Sequence, residues 1–404
     1  MAEDEADLST QPAAATFLPA DVALPRIEAI VANARTAWLG QIGFLAFITL
    51  TLVSTRDVDF FSVTATTDLP IINVAIPTTT FFWTAAWLGA VLHTYLHLFL
   101  LRLWDALAEA PAELDGLRLG ERVFPWLVND WALRLRPDRP LETRPMDWLA
   151  NTVTLVLVWL GTPLVLIAFW WRSMPAHDAW LTLAIAGALG LSLFASVHGW
   201  HRAKARLSNP GKVAATSSGA AIGLRSVALP PRWRHAGIVL GIALLALSLL
   251  RTEIGSVPVG SFRYDGFLLA PIDLVDAEIA VRPDDWRDHE LARRRFRIAW
   301  CDDNGLTPLA CEPTGSKGPA RADWCESNSI DDCPARFREI DDSFAGEWAE
   351  ERQADLDGLI KPNLRGRDLR QASASGAFLA GVDLREARLE GADLRGARLE
   401  GADL

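Results

Sequence analysis

The chain has 404 residues, of which half are hydrophobic and 22% are charged, and its mean hydropathy is +0.16. These values are typical of a protein with several membrane spans and exclude a disordered or collagen-like chain. The net charge of -11 argues against a general nucleic-acid-binding protein, which needs a basic surface for phosphates. The first ten residues, MAEDEADLST, are acidic where a secretory signal peptide carries positive charge.

An acidic cytoplasmic tail is predicted over residues 1–36, followed by a transmembrane helical domain over residues 37–251. Four apolar stretches of this domain are long enough to cross a bilayer, which takes about 20 residues. A fifth stretch is shorter, but Arg234 and Arg251 flank it and can extend to the two interfaces. Tryptophans stand near many of the stretch ends, as in the aromatic belts of membrane proteins. The predicted spans are residues 37–54, 80–101, 148–171, 179–200 and 235–251.

The basic residues of the loops predict the orientation of these spans. The loops after the second and fourth spans each carry seven arginines or lysines, whereas the loops after the first and third carry only Arg56 and Arg172. Because cytoplasmic loops hold the excess of basic residues, the N-terminus and both basic loops are expected in the cytoplasm. Five spans then place everything after Arg251 on the opposite side.

All four cysteines, Cys301, Cys311, Cys325 and Cys333, lie in the part expected outside the cytoplasm. Disulfides persist there, so two bridges are expected. Four cysteines allow three connectivities. The similar segments AWCDDNGLTPLAC and DWCESNSIDDC favour the pairs Cys301–Cys311 and Cys325–Cys333. A zinc site is the alternative, but no pair of cysteines has the short spacing of zinc-binding motifs.

From residue 364 to residue 404 the sequence has a period of five, with leucine at eight of the nine recurring positions. A small residue stands two positions earlier in most copies. This period matches neither a helix nor a strand, and it indicates a solenoid whose units bury apolar faces by stacking. The residues predicted to form the solenoid core are Leu364, Leu369, Leu379, Leu384, Leu389, Leu394, Leu399 and Leu404, with Ala377, Ala387, Ala392, Ala397 and Ala402.

This run resembles the pentapeptide-repeat family, whose motif is A-[DN]-L-x-x. The resemblance implies a right-handed, four-sided β-helix over residues 361–404, with four repeats per coil and the leucine and the small residue pointing inward. It also implies a bacterial protein and a homodimer, because family members often associate end to end. The early copies depart from the motif, with Pro362, Arg367 and Val382 at the small position and Ala374 at the leucine position. By the resemblance, Arg367 would point inward and mark a cap or a distorted corner.

A fainter copy of the five-residue spacing occurs upstream, at Leu269, Leu274 and Ile279. We predict that these residues form three sides of an opening coil within residues 262–280, although a chance match is the alternative. A helical, cysteine-containing insertion over residues 281–360 would then interrupt the solenoid.

Four histidines are candidate ligands inside the membrane domain. His93 and His97 share one face of the second span, and His198 and His201 share a face of the fourth. Under the predicted orientation all four lie near the cytoplasmic side. Polar residues within a bilayer are costly and are functional candidates by default, so two facing pairs suggest a bound haem or divalent metal. The alternative is hydrogen bonding between helices.

The sequence contains no recognisable catalytic motif, neither a nucleophile elbow nor a phosphate-binding loop. It therefore predicts a non-enzymatic protein of the bacterial inner membrane, without a cofactor, whose periplasmic solenoid contacts an unidentified protein partner. The alternative is a membrane redox protein that binds haem or a metal through its histidines. Inhibition of topoisomerases by DNA mimicry, known in the family, is disfavoured because residues 361–404 carry eight basic and seven acidic residues.

Overall fold

The structure is a computed structural model that describes residues 17–63, 66–68, 75–114, 116–138, 140–142, 145–210, 239, 241–244, 246–248, 257–259, 262–264, 272–284, 286–308, 310–311 and 318–404. The chain divides into two compact units. The helical unit comprises Met1–Thr55 and Thr66–Thr252. The repeat-containing unit comprises Arg56–Ala65 and Glu253–Leu404.

Four long helices dominate the helical unit. In chain order its elements are α1 (Ala20–Ser54), β1 (Thr66–Asp68), β2 (Ala75–Pro77), α2 (Thr78–Glu109), β3 (Glu113–Leu114), β4 (Leu117–Arg118), α3 (Leu119–Arg122), α4 (Leu127–Arg134), α5 (Asp147–Leu155), a π-helical turn (Val156–Leu160), α6 (Gly161–Ser173), a 3-10 turn (Met174–Ala176) and α7 (Ala179–Leu207). The strands form two antiparallel hairpins, β1 with β2 and β3 with β4.

The described residues contain four helices that are long and apolar enough to cross a membrane, and they coincide with the first four predicted spans. These candidate spans are Ala20–Ser54, Thr78–Glu109, Asp147–Ala176 and Ala179–Leu207. The third of them runs from α5 through the π-helical turn into α6.

Helix α1 begins at Ala20 and not at residue 37, where the predicted span starts. The segment before the span is therefore not simply an acidic tail. Its buried residues recur every third or fourth position, which puts them on one helix face. That face belongs to the same core as Trp104 of α2 and Trp131 of α4. The buried residues of the face are Ala23, Ile27, Val31 and Ala34.

The basic loop between α2 and α5 is folded. Among the described residues of this loop is Arg136, whose side chain is fully inaccessible to solvent. The guanidinium donates to the carbonyl oxygens of Leu107 at 2.5 Å and Ala110 at 2.9 Å, and it pairs with the carboxylate of Asp138. A cation at the carboxyl end of a helix satisfies carbonyls that have no partner within the helix. Arg136 therefore caps α2.

The predicted fifth span, residues 235–251, lies largely outside the described residues. Residues 239, 241–244 and 246–248, which the structure does describe, are helical. The hydroxyl of Ser248 accepts a hydrogen bond from the indole Nε1 of Trp170, near the end of α6, at 3.0 Å. This contact lies within the helical unit.

The repeat-containing unit combines short extended segments with three helices. It begins with a 3-10 turn, Asp57–Phe60, and continues with an antiparallel hairpin of β5 (Val257–Val259) and β6 (Phe262–Tyr264). Its helices are α8 (His289–Asp303), α9 (Gly318–Ser327) and α10 (Cys333–Asp357).

Isolated parallel β-bridges stack the repeats on one another. Each bridge joins a residue to the equivalent residue four repeats later, so each coil contains four repeats. Every repeat then turns at a residue with positive φ, such as Gly366 at 68° or Gly391 at 74°. Glycine is favoured there because other residues are strained in this region. The bridges are Asn363–Asp383, Asp368–Arg388, Ser373–Asp393, Phe378–Arg398 and Asp383–Asp403.

The same stacking includes a segment that lies upstream of the inserted helices. Asp273 forms a parallel bridge to Ser373, and Glu278 forms one to Phe378. The chain then leaves the coil and returns at residue 360, where the carbonyl oxygen of Ile360 accepts from the N–H of Val281 at 2.9 Å.

The residues of this upstream segment occupy the positions that the five-residue spacing predicts. Leu274 and Ile279 are buried, with 3% and 1% of their surface exposed. Leu269, the third predicted position, lies outside the described residues.

The inserted helices surround two disulfides, Cys301–Cys311 and Cys325–Cys333, with Cα atoms 6.0 and 5.8 Å apart. This is the pairing that the internal similarity of the two segments favours. The cysteines belong to an apolar cluster with Phe337 of α10.

Replacement of Leu384 by alanine is expected to destabilise the repeats. The side chain is 2% exposed and lines the interior of the coils. Loss of a buried leucine leaves a cavity and lowers the free energy of unfolding by about 2–5 kcal/mol. Hydrogen exchange of the repeat amides, measured by mass spectrometry, reports this change.

Ile360→Ala is the matched control, because Ile360 is 60% exposed. It is expected to change the unfolding free energy by less than about 0.5 kcal/mol. Equal effects of the two variants would contradict the inward orientation of Leu384.

Candidate functional site

The outward surface of the repeats carries a recurring carboxylate–guanidinium pair. In each pair an aspartate at a bridge position accepts three hydrogen bonds from the arginine two residues later, two at Oδ1 and one at Oδ2. For Asp383 the distances to Arg385 are 3.1 Å to the backbone nitrogen, 2.9 Å to Nε and 2.6 Å to Nη2. The pairs are Asp368–Arg370, Asp383–Arg385 and Asp393–Arg395.

Two of these pairs lower the pKa of their carboxyl groups. The hydrogen bond from the Arg385 side chain lowers the pKa of Asp383 to about 2, and the bond from Arg395 does the same to the pKa of Asp393. The carboxylate of Asp383 in turn raises the pKa of Arg385. The charges of each pair are thus largely balanced locally, and two long side chains are held against the backbone.

One face of the coils is covered by the insertion. Phe378, at an outward bridge position, is only 1% exposed. The ring of Trp286 lies edge-on to it at 5.2 Å, and the guanidinium of Arg282 lies over it at 4.7 Å. In the next coil Arg398 pairs with Asp288 at 2.8 Å. A partner therefore has no access to this face.

Other faces remain accessible within the described residues. Asn363, Arg388 and Asp403 are at least partly exposed at outward bridge positions. The faces that these residues mark are the candidate binding surface.

Burial of the predicted core residues falls along the repeats. Arg367, which replaces the small residue in an early copy, is half-buried. Leu364, Leu369, Leu379, Leu384 and Ala377 are buried, Leu389, Leu394, Leu399, Ala387, Ala392, Ala397 and Ala402 are half-buried, and Leu404 is exposed.

The intramembrane histidines belong to a hydrogen-bond network between helices. The amide Nε2 of Gln41 donates to Nδ1 of His93 at 3.0 Å and to the hydroxyl of Thr162 at 2.5 Å. Because the hydroxyl of Ser196 donates its own proton to the carbonyl of Trp159, it accepts from Nε2 of His93 at 2.8 Å. Both ring nitrogens of His93 therefore have partners on other helices.

One ring nitrogen of His97 forms a hydrogen bond. Its Nδ1 donates to the carbonyl of His93 at 3.0 Å, whereas its Nε2 is buried without a hydrogen-bond partner in the described part of the chain. The ring lies against Gly199 of α7, where a Cβ atom would come within 2.6 Å of Cδ2 of His97. Glycine at this position permits the close approach of α2 and α7.

The second pair of histidines lies on another part of α7. The ring of His198 stacks on Phe194, which is 41% exposed. His201 follows Gly199 by two positions, a rotation of about 200° around the helix.

The four histidines therefore do not converge on one point, contrary to the expectation of two facing pairs. Among the described residues no group of three or more histidine, cysteine, aspartate or glutamate side chains is arranged to hold a metal ion. The observed arrangement is hydrogen bonding between helices, which was the alternative.

The residues that contact His93 were not among the candidate site residues predicted from the sequence. Gln41, Thr162 and Ser196 are isolated polar residues within apolar stretches, and each is nearly fully buried. A buried polar residue in a span is itself a signal of an interhelical contact. That signal does not show which residue of which helix is the partner.

Comparison with known proteins identifies the repeats. Residues 363–404 match the family model described as pentapeptide repeats, in eight copies. The prediction of pentapeptide repeats is confirmed for this part of the chain. No curated protein and no solved structure is detectably similar to the chain.

The aspartate–arginine pairs predict an acid-sensitive surface. A carboxyl whose pKa is lower in the folded state stabilises the fold above its unfolded pKa, which is about 3.9. This contribution is lost as the pH falls toward 2, where Asp383 and Asp393 become protonated. We expect hydrogen exchange of the repeats to accelerate between about pH 4 and pH 2, after correction for intrinsic rates.

The double variant D383N/D393N removes both titrating groups. It is expected to show a flatter dependence of repeat stability on pH in this range. An unchanged dependence would show that the two pairs do not stabilise the coils.

Proposed function

We propose that this protein is a non-enzymatic membrane protein of the bacterial inner membrane that presents its pentapeptide repeats on the periplasmic side as a scaffold for a protein partner. The observation that carries the proposal is the combination of apolar helices with a repeat array whose accessible faces hold ordered polar side chains. Each part of the proposal has separate support.

The repeats are proposed to form a right-handed, four-sided β-helix. The bridges between residues four repeats apart support coils of four repeats, and the bridge between Asp273 and Ser373 extends the stack upstream. The right-handed sense comes from the resemblance to the family.

The packing of side chains inside the coils supports a scaffold role. Leucine and alanine side chains line the interior of the coils and leave no room for a substrate. The outward aspartates and arginines are locked in pairs, so they are already ordered before any partner arrives. Binding through ordered side chains loses less conformational entropy than binding through mobile ones.

The periplasmic placement is supported by a contact within the repeat-containing unit. The carboxylate of Asp57 accepts a hydrogen bond from the backbone N–H of Asp273 at 2.9 Å. Asp57 follows the end of α1, Ser54, by three residues, which span about 10 Å at most. This short connection supports a position of the repeats on the side of the membrane on which α1 ends.

The distribution of basic residues among the loops supports a position of that end outside the cytoplasm. Four spans alone would return the chain to the cytoplasm after α7. A further crossing between residues 207 and 272 is then required, and residues 235–251 are the apolar stretch available for it.

Thiol labelling of intact cells tests this placement. The four cysteines are paired in disulfides. We expect a membrane-impermeant maleimide to label the protein in intact cells only after a reductant is added. Labelling that needs permeabilised cells, with or without reductant, would place the cysteines in the cytoplasm and contradict the proposal.

Site-specific photocrosslinking in living cells tests the scaffold. A benzophenone amino acid at the accessible position Arg388 is expected to give a discrete adduct with one protein. The same amino acid at Phe378, which the insertion covers, is the matched control and is expected to give none. Absence of an adduct at Arg388 and at the other accessible bridge positions, Asn363 and Asp403, would contradict a scaffold role for these faces.

A further inference from the structure

Helix α8, His289–Asp303, exposes two aliphatic side chains on one face. Leu291 is 56% exposed and Ile298 is 65% exposed. They are seven positions apart, which is two helical turns, so they lie on the same side of the helix.

Arginines surround these two residues. Arg294 and Arg295 lie between them on the same face, and Arg287 lies two residues before the helix begins. All three are exposed, and none of them makes an ion pair or hydrogen bond within the part of the chain that the structure describes. We call Leu291, Arg294, Arg295 and Ile298 the arginine–aliphatic face.

The other two arginines of α8 contact residues of the insertion. The guanidinium of Arg297 lies over the ring of Phe344 at 4.1 Å and donates to the carbonyl of Cys311 at 2.8 Å. Arg293 lies over the same ring at 5.9 Å. The opposite side of α8 thus holds the helix on α10 and the first disulfide, and this packing does not need the arginine–aliphatic face.

We propose that the arginine–aliphatic face binds the anionic headgroups of the lipid bilayer in which the protein is anchored. The proposal rests on the membrane anchoring in the proposed function, but it holds on either side of the membrane. A helix with basic residues beside exposed aliphatic residues suits the headgroup region, where arginine pairs with phosphate and the aliphatic side chains enter the acyl boundary. The acidic residues Glu290 and Asp302 lie at the edge and at the end of the face.

The chain connection between α1 and the repeat-containing unit favours a lipid surface over another acidic partner. In the chain, the first described residues of the repeat-containing unit directly follow α1, a candidate span, so this unit is covalently tethered to the membrane domain. Its local concentration at the bilayer is therefore high. Each arginine near an anionic surface strengthens association about fivefold.

The test uses the full-length protein in nanodiscs. One set contains only zwitterionic phosphatidylcholine, and the other contains roughly a third phosphatidylglycerol, which gives an anionic surface. Hydrogen exchange of residues 287–303 is expected to be at least about fivefold slower in the anionic nanodiscs, and the difference is expected to shrink at high salt.

The variant R294E/R295E is expected to abolish the difference between the two lipids. R336E/R338E is the matched control, because it makes the same change of charge on α10, away from the arginine–aliphatic face, and it is expected to keep the difference. Equal exchange in both lipids would overturn the proposal. Protection that rises with protein concentration, or that needs an added acidic peptide, would also overturn it, in favour of a second copy or a protein partner.

A different experimental result would disprove the membrane anchoring in the proposed function. A protein that does not enter nanodiscs and is extracted from membranes by alkaline carbonate is not membrane-anchored, whereas a protein that enters nanodiscs without lipid-dependent protection of α8 disproves only the lipid contact.

Discussion

The five-residue period controls the architecture of the repeat-containing unit. A leucine that returns every fifth residue cannot occupy one face of a helix or one side of a strand, so the chain must turn after each copy. Four turns bring it back over its starting point, and backbone hydrogen bonds then join each repeat to the repeat one coil later. The insertion, the aspartate–arginine pairs and the covered face are all arranged around this stack of coils.

The five-residue repeats and the long apolar helices were predictable from the sequence. The buried positions of Leu274 and Leu384 follow from the same spacing, even though the whole cysteine-containing insertion separates them. The start of α1 was not predicted, because charged residues such as Asp21, Arg26 and Glu28 interrupt the apolar stretch before the predicted span. The signal was present in the spacing of Ile27 and Val31, but a search for uncharged apolar stretches does not detect it.

The histidines show why a site is harder to predict than an element. Spacing along one helix correctly groups His93 with His97, but it does not tell how a second helix is rotated. In α7 the residues that face them are Ser196 and Gly199, and His198 lies elsewhere. Only the packing of helices decides which polar groups meet, and a single small residue determines how closely they approach.

The bridge between Asp273 and Ser373 has a consequence for the order of assembly. The upstream segment has no neighbouring coil until the entire insertion and the first repeats have been synthesised and delivered to the same compartment. Closing so long a loop costs more entropy than stacking consecutive coils, which follow one another directly in the chain. Loop-closure entropy therefore favours formation of the later coils before the upstream segment joins them at the corner between Val281 and Ile360.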